Sequence, residues 1–255
     1  FRAITVLPLD RYLFILFLGI VCTFGGILFK KALYLFQDLY VKLKIPVLIR
    51  PVFPLLLSIP VCFYMFDITG GGHHLIVTMS NSDITVKYLF LLLAANFLFT
   101  CFCYGSGTAG GIFLPVLLMG ALVGEIYGMF LSQLGFIEEV YRLNFLIFGM
   151  AAFFTAVTKA PVTGIILLLE MSGNFNHLLG LVSVCLIAYV FTDLFKSKGV
   201  YDELLTRLLQ RNPQLYRGAP EKKVVLEIPI CVGSAAEHKK IKEIEWPEGS
   251  LVVGI

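Results

Sequence analysis

The chain has 255 residues, of which 58% are hydrophobic and 15% charged, and its mean hydropathy is +0.87. Soluble globular domains carry about 45–50% apolar and roughly 25% charged residues, so this composition argues against a soluble domain. A formal net charge of +3 gives no reason to expect a nucleic-acid partner. Long uncharged runs, which are typical of segments that cross a lipid bilayer, recur along the chain. They cover 12–29, 51–66, 88–124 and 143–158, and also 171–192 if His177 is neutral.

The predicted helices follow these runs in chain order. The first covers 12–29 and continues through an amphipathic stretch that ends at Leu43. The second covers 51–66, and a glycine-rich turn at 69–74 precedes a third helix that starts at about Ile84. The 37 uncharged residues from 88 to 124 exceed the roughly 20 that cross a bilayer, and glycines interrupt them at 105–111. Further helices are predicted at about 112–133, 143–157, 160–171, 177–194 and 200–211.

Composition divides the chain into two predicted domains, a membrane domain at 1–217 and a soluble domain from 218 to 255. Strand, short charged helix, turn and strand patterns in the second domain predict the start of an α+β fold. Lysines and arginines cluster after the last apolar run, so the positive-inside rule predicts a cytoplasmic tail. We expect a multi-pass protein of the plasma or inner membrane. Because the chain lacks an initiator Met and stops at Ile255 in mid-strand, we expect a segment of a longer protein.

The cysteines show no metal-ligand spacing beyond Cys101 and Cys103, which lie inside an apolar run. Small buried hydrophobic side chains explain them better than a metal centre does. We therefore expect no metal, no cofactor and no enzymatic activity. Short and glycine-interrupted apolar segments indicate instead a transporter whose binding site lies at broken helix ends.

The most informative local signal is the segment Gly110–Pro115, with the sequence GGIFLP. Irregular backbone at membrane depth survives only when it is buried in protein or lines a wet cavity. Pro115 suits the first turn of a helix, so the amides of residues near Ile112 and Phe113 would point out of the helix end. Such an end carries about half a positive charge and binds anions. A glycine hinge that only permits helix packing is the alternative interpretation.

The surroundings of this helix start are uncharged, since no lysine or arginine lies between Lys87 and Arg142. A full cation would hold an anion too tightly for release, whereas neutral dipoles permit fast turnover. Glu125 lies on the same predicted helix and could face a water-filled vestibule, but we assign it no role.

Four segments together resemble the CLC chloride channel and transporter family, in the order and at the spacing of that family. They are 67–72 (DITGGG), 105–115 (GSGTAGGIFLP, containing the GxFxP signature), 154–171 (FTAVTKAPVTGIILLLEM) and 198–205 (KGVYDELL). The resemblance implies the second half of the family's inverted repeat, an all-α polytopic membrane fold with broken and tilted helices.

The resemblance also assigns site residues. It implies chloride binding at Gly111, Ile112 and Phe113, with the amides of the last two as ligands, and at Tyr201, whose phenol is a neutral donor. It implies a homodimer with one pore per subunit. The family's first half supplies a serine ligand and a gating glutamate, and neither matching segment is present here. A voltage-gated-type channel and an H+/Cl− antiporter therefore both remain open.

The tail is similar to the TrkA-C module over about 30 residues, which implies a regulatory domain that senses an unidentified small ligand.

Three alternatives to chloride transport stay open: a broken-helix transporter of another solute, a membrane fragment without transport of its own, and a fluoride exporter. Against the first, residues 88–124 contain no acid that would serve a cation. Against the third, Tyr201 fits the fluoride branch poorly.

Overall fold

Helices joined by short turns make up the part of the chain that the computed structural model describes, which is residues 7–43, 45–46, 49–65, 68, 85–108 and 110–211. Within these residues, the helices longer than ten residues are α1 Tyr12–Lys42, α2 Val52–Tyr64, α3 Val86–Gly105, α4 Phe113–Gln133, α5 Arg142–Thr158, α6 Pro161–Ser172, α7 Leu178–Leu194 and α8 Val200–Arg211. The predicted turn at 69–74 and the predicted tail domain lie outside the described residues.

In the described part of the chain, five helical stretches are long and apolar enough to cross a membrane: Leu9–Lys42, Val86–Gly105, Phe113–Gln133, Glu139–Thr158 and Phe175–Leu194. The helices α2 and α6 have 13 and 12 residues and are too short for a full crossing. The prediction of an all-α polytopic membrane fold with broken helices is therefore confirmed. Each predicted helix that falls within the described residues is present, and its described ends lie within two positions of the predicted ones.

The turn between α5 and α6 shows why the chain breaks a helix here. Lys159 ends α5 in the left-handed region at φ 61°, and its amide donates to Thr155 O at 2.8 Å. Pro161 then begins α6, where the missing amide hydrogen costs nothing. The 12-residue helix α6 therefore follows α5 as a separate helix and does not continue it.

The helix α5 forms the centre of the bundle, packed against α1, α4, α6 and α7. Buried aromatic side chains, including Phe145 and Phe148, fill the space around it. Its crossing with α4 is close because Gly120 and Gly124 on α4 face Gly149 on α5. A Cβ atom at Gly120 would lie 2.6 Å from Gly149 O. Small residues spaced four apart are a common way to bring two membrane helices into contact.

We expect Gly124→Ala to destabilise the protein, because a Cβ there would collide with the backbone carbonyl of Phe145. Overpacking of this kind costs about 1–3 kcal/mol. Gly128→Ala on the same helix is the matched control, since its Cβ would lie farther from its neighbours, at 3.1 Å from Arg142 Cγ and 3.3 Å from Arg142 O. Thermal unfolding of the purified protein in detergent should show a lower Tm for Gly124→Ala than for Gly128→Ala. Equal Tm values would contradict the close crossing.

Candidate anion-binding site

The helix α4 begins with amides that have no acceptor within the helix. The chain leaves α3 at Gly105 and turns through Gly107, which has φ +79°. The first amide of α4 to find a helical carbonyl is that of Val116, which donates to Ile112 O at 3.0 Å. The amides of residues 112–114 consequently have no acceptor within the helix, and Pro115 has no amide hydrogen at all.

One buried side chain and two contacts hold this helix start in place. The side chain of Ile112 is buried, and its backbone adopts φ −96° and ψ 0°. The side chain of Asn96 on α3 donates to Pro115 O at 3.1 Å. The ring of Phe113 packs edge-on against Phe154 of α5, with 5.7 Å between the centroids. The helix end is therefore fixed by a neighbour on each side.

Asn96 has a positioning role that the sequence analysis missed. It is a buried amide side chain within the uncharged run at 88–124. A polar residue inside an apolar membrane segment is costly and marks a structural or functional contact. The presence of Asn96 in this run was therefore the sequence signal that could have identified it. Its hydrogen bond to Pro115 O fixes the first turn of α4.

The glycines before α4 leave the helix end open. At Gly111, apart from the residue itself and its two chain neighbours, no heavy atom of the described residues lies within 4 Å of where a Cβ would be. Gly111 therefore makes no close packing contact with the described residues, in contrast to Gly120.

Tyr201 lies at the start of α8, with 54% of its surface exposed. The preceding Gly199 allows α8 to approach the end of α5, because a Cβ there would lie 2.9 Å from Thr158 O. The structure thus places the segment just before Tyr201 against the end of α5.

The helix α8 is anchored to α1 by Arg207. The guanidinium group of Arg207 donates to both carboxylate oxygens of Asp38 at 3.2 Å, and it lies 4.5 Å from the ring centroid of Tyr34. Glu203, one turn earlier on α8, contacts the same guanidinium at 3.4 Å. These contacts fix the helix that carries Tyr201.

Glu125 does not face a vestibule among the described residues. Its carboxylate accepts from Arg142 Nε at 2.7 Å, and the side chain is only 3% exposed. Lys159 likewise pairs with Asp193 at 2.7 Å. Both residues therefore hold helices together.

Among the described residues, no group of three or more His, Cys, Asp or Glu side chains could hold a metal ion.

The described residues define a polytopic α-helical membrane protein in which the helix α4 starts, after a glycine-rich break, with amides that have no acceptor within the helix. Residues 2–193 match the family described as Voltage gated chloride channel, and the chain belongs to that family.

Curated relatives support this assignment. The H(+)/Cl(-) exchange transporter ClcA of Vibrio cholerae serotype O1 (strain M66-2) is 37% identical over 207 residues, which are 76% of this chain and 43% of the relative. The transporter of the same name from Yersinia pestis bv. Antiqua (strain Angola) is 30% identical over 216 residues, covering 81% and 44%. The chain spans less than half the length of these relatives.

Two solved structures share the fold. A slow cyanobacterial Cl−/H+ antiporter matches with a TM-score of 0.73 and 30% identity, over 83% of this chain and 51% of that structure. A CLC-type fluoride/proton antiporter matches with a TM-score of 0.61 and 21% identity, over 74% and 45%. The second likeness shows the fold alone.

Proposed function

We propose that this chain forms the second half of a chloride pathway, in which the amides of Ile112 and Phe113 and the hydroxyl of Tyr201 bind the ion. The observation that carries this proposal is the start of α4, where free amides follow the open backbone of Gly111. A helix N-terminus supplies aligned donors and about half a positive charge, which suits an anion. Membership of the chloride channel family favours chloride among the anions.

The neutrality of the site suits transport. Its donors are backbone amides and a phenol, and the sequence contains no lysine or arginine from 88 to 141. An ion must bind strongly enough to enter and weakly enough to leave. Partial charges meet both demands better than a full cation at the same position.

The experiment that tests the site is a bromide soak of crystals of the full-length protein. We expect an anomalous peak at about 3.0–3.5 Å from the Ile112 and Phe113 amides, slightly longer than an N–H···O hydrogen bond because the halide ion is larger. A crystal without bromide serves as the control. Bromide peaks elsewhere but none at the start of α4 would reject the proposed site.

Between the two transport modes, the relatives favour H+/Cl− antiport over a channel, because the curated relatives are named exchange transporters. One solved structure with the same fold is also a Cl−/H+ antiporter. Proton movement measured together with chloride efflux from liposomes distinguishes the two modes.

The assembly that we propose is a homodimer in the plasma or inner membrane, with a cytoplasmic tail. The homodimer and the TrkA-C-like tail at 218–255 rest on sequence resemblance. The pathway needs the family's other half, which supplies the remaining ligands. The alternative hypothesis is that residues 1–255 have no transport activity of their own. Chloride flux measured in liposomes that contain this chain alone tests it.

A further inference from the structure

The described part of the chain buries one lysine inside a membrane-spanning helix. Lys30 lies on α1, and only 2% of its surface is exposed. The neighbouring Lys31 is exposed. A buried ammonium group is costly unless it is paired or hydrogen-bonded, so the partners of Lys30 need an explanation.

The ammonium group of Lys30 joins two segments that are far apart in sequence. It donates to Ala156 O in the last turn of α5 at 3.0 Å and to Lys198 O at 2.9 Å. The first acceptor belongs to a helix end whose last carbonyls lack helical partners, and a cation there also offsets the helix dipole. The second acceptor lies three residues before Tyr201.

The surrounding packing directs this side chain. Gly26, one turn before Lys30, brings α1 close to α5, because a Cβ there would lie 2.9 Å from Ala156 Cβ. Phe29 is fully buried beside Phe153, with 6.5 Å between the ring centroids. The ion pairs within 4.0 Å among the described residues do not include Lys30, whereas nearby Lys159 has a carboxylate partner in Asp193. Backbone carbonyls are thus the acceptors that the structure gives Lys30.

We infer that Lys30 is a positioning residue for Tyr201, because its ammonium group ties the segment before that tyrosine to the end of α5. The end of α5 in turn contacts the start of α4 through Phe154 and Phe113. Lys30 therefore sets the placement of the phenol relative to the amides without touching the ion. This inference rests on the proposed function, since it concerns the geometry of the proposed chloride site.

The test is a double-mutant cycle on the full-length protein, with chloride affinity measured by calorimetry. We expect Lys30→Met and Tyr201→Phe each to weaken chloride binding about tenfold. The first variant displaces the phenol of Tyr201 and the second removes its hydroxyl, so each loses the same hydrogen bond to the chloride ion. In the Lys30→Met background, we expect Tyr201→Phe to weaken binding by no more than about twofold, because the phenol is already misplaced. Lys31→Met is the matched control and should bind chloride as the parent protein does.

Two results would overturn the inference. One is an unchanged affinity in Lys30→Met. The other is a pair of effects that multiply, which would mean that Lys30 acts by its charge and independently of Tyr201. If Lys30→Met does not fold, Lys30→Gln replaces it in the same cycle, because the amide keeps one donor group. Failure of the proposed function is a separate outcome, in which the parent protein itself binds no chloride.

Discussion

Replacing Arg142 by methionine should destabilise the protein by about 3–5 kcal/mol, because it leaves the buried carboxylate of Glu125 without its cation. The pair joins α4 to α5 beside their close crossing. The stem of Arg142 also packs against Gly128, whose Cβ would lie 3.1 Å from Arg142 Cγ. The free energy of unfolding measured by denaturant titration in detergent micelles tests the expectation.

Glu139 provides the matched control for this experiment. It contacts the same guanidinium group at 2.8 Å, but its side chain is 72% exposed. Exposed ion pairs contribute about 0–1 kcal/mol, so Glu139→Gln should have a small effect. The double variant Glu125→Gln/Arg142→Met should recover part of the loss, since it removes both buried charges. A loss in Arg142→Met no larger than that in Glu139→Gln would show that the buried pair does not stabilise the fold.

The positions of the helices were predictable from the sequence because bilayer solvation leaves a strong local signal. Uncharged runs marked the spans, and the glycines at 105–111 marked the interruption between α3 and α4. The start of α4 was predictable from an equally local signal, because a proline, which lacks an amide hydrogen, favours the first turn of a helix. These features depend on neighbours in sequence.

The contacts that hold the site together were not predictable in the same way. Lys30 reaches carbonyls that are 126 and 168 positions away in sequence, and Asn96 bonds to a residue across the glycine loop. In the sequence, Glu125 and Arg142 are two separate charged residues, and only the packing of α4 against α5 brings them together as an ion pair. Sequence patterns identify such residues as unusual, but only the packing of helices shows what each one contacts. Tyr201 was assigned through family resemblance, because an exposed tyrosine at a helix start has no distinctive local pattern.

The largest effect on anion binding should come from a carboxylate at Gly111. We expect Gly111→Asp to weaken chloride binding about a thousandfold, because it places a negative charge beside the amides of Ile112 and Phe113. Two like charges about 4 Å apart repel by about 4 kcal/mol at an effective dielectric constant of 20, and every 1.4 kcal/mol is tenfold. The backbone accepts a side chain here, since, apart from the residue itself and its two chain neighbours, no described heavy atom lies within 4 Å of the Cβ position and φ is outside the left-handed region.

Gly111→Asn is the control that isolates charge from size. Asparagine has nearly the same shape as aspartate, so both variants meet the same neighbours, including those contributed by the other half of the pathway. If the helix end binds the anion through its partial charge, only aspartate blocks the site, and the asparagine variant retains most of the chloride affinity in calorimetry. If the glycine serves only as a hinge, the two variants should impair the protein equally. Equal affinities for Gly111→Asp and Gly111→Asn would therefore place the chloride site away from the start of α4.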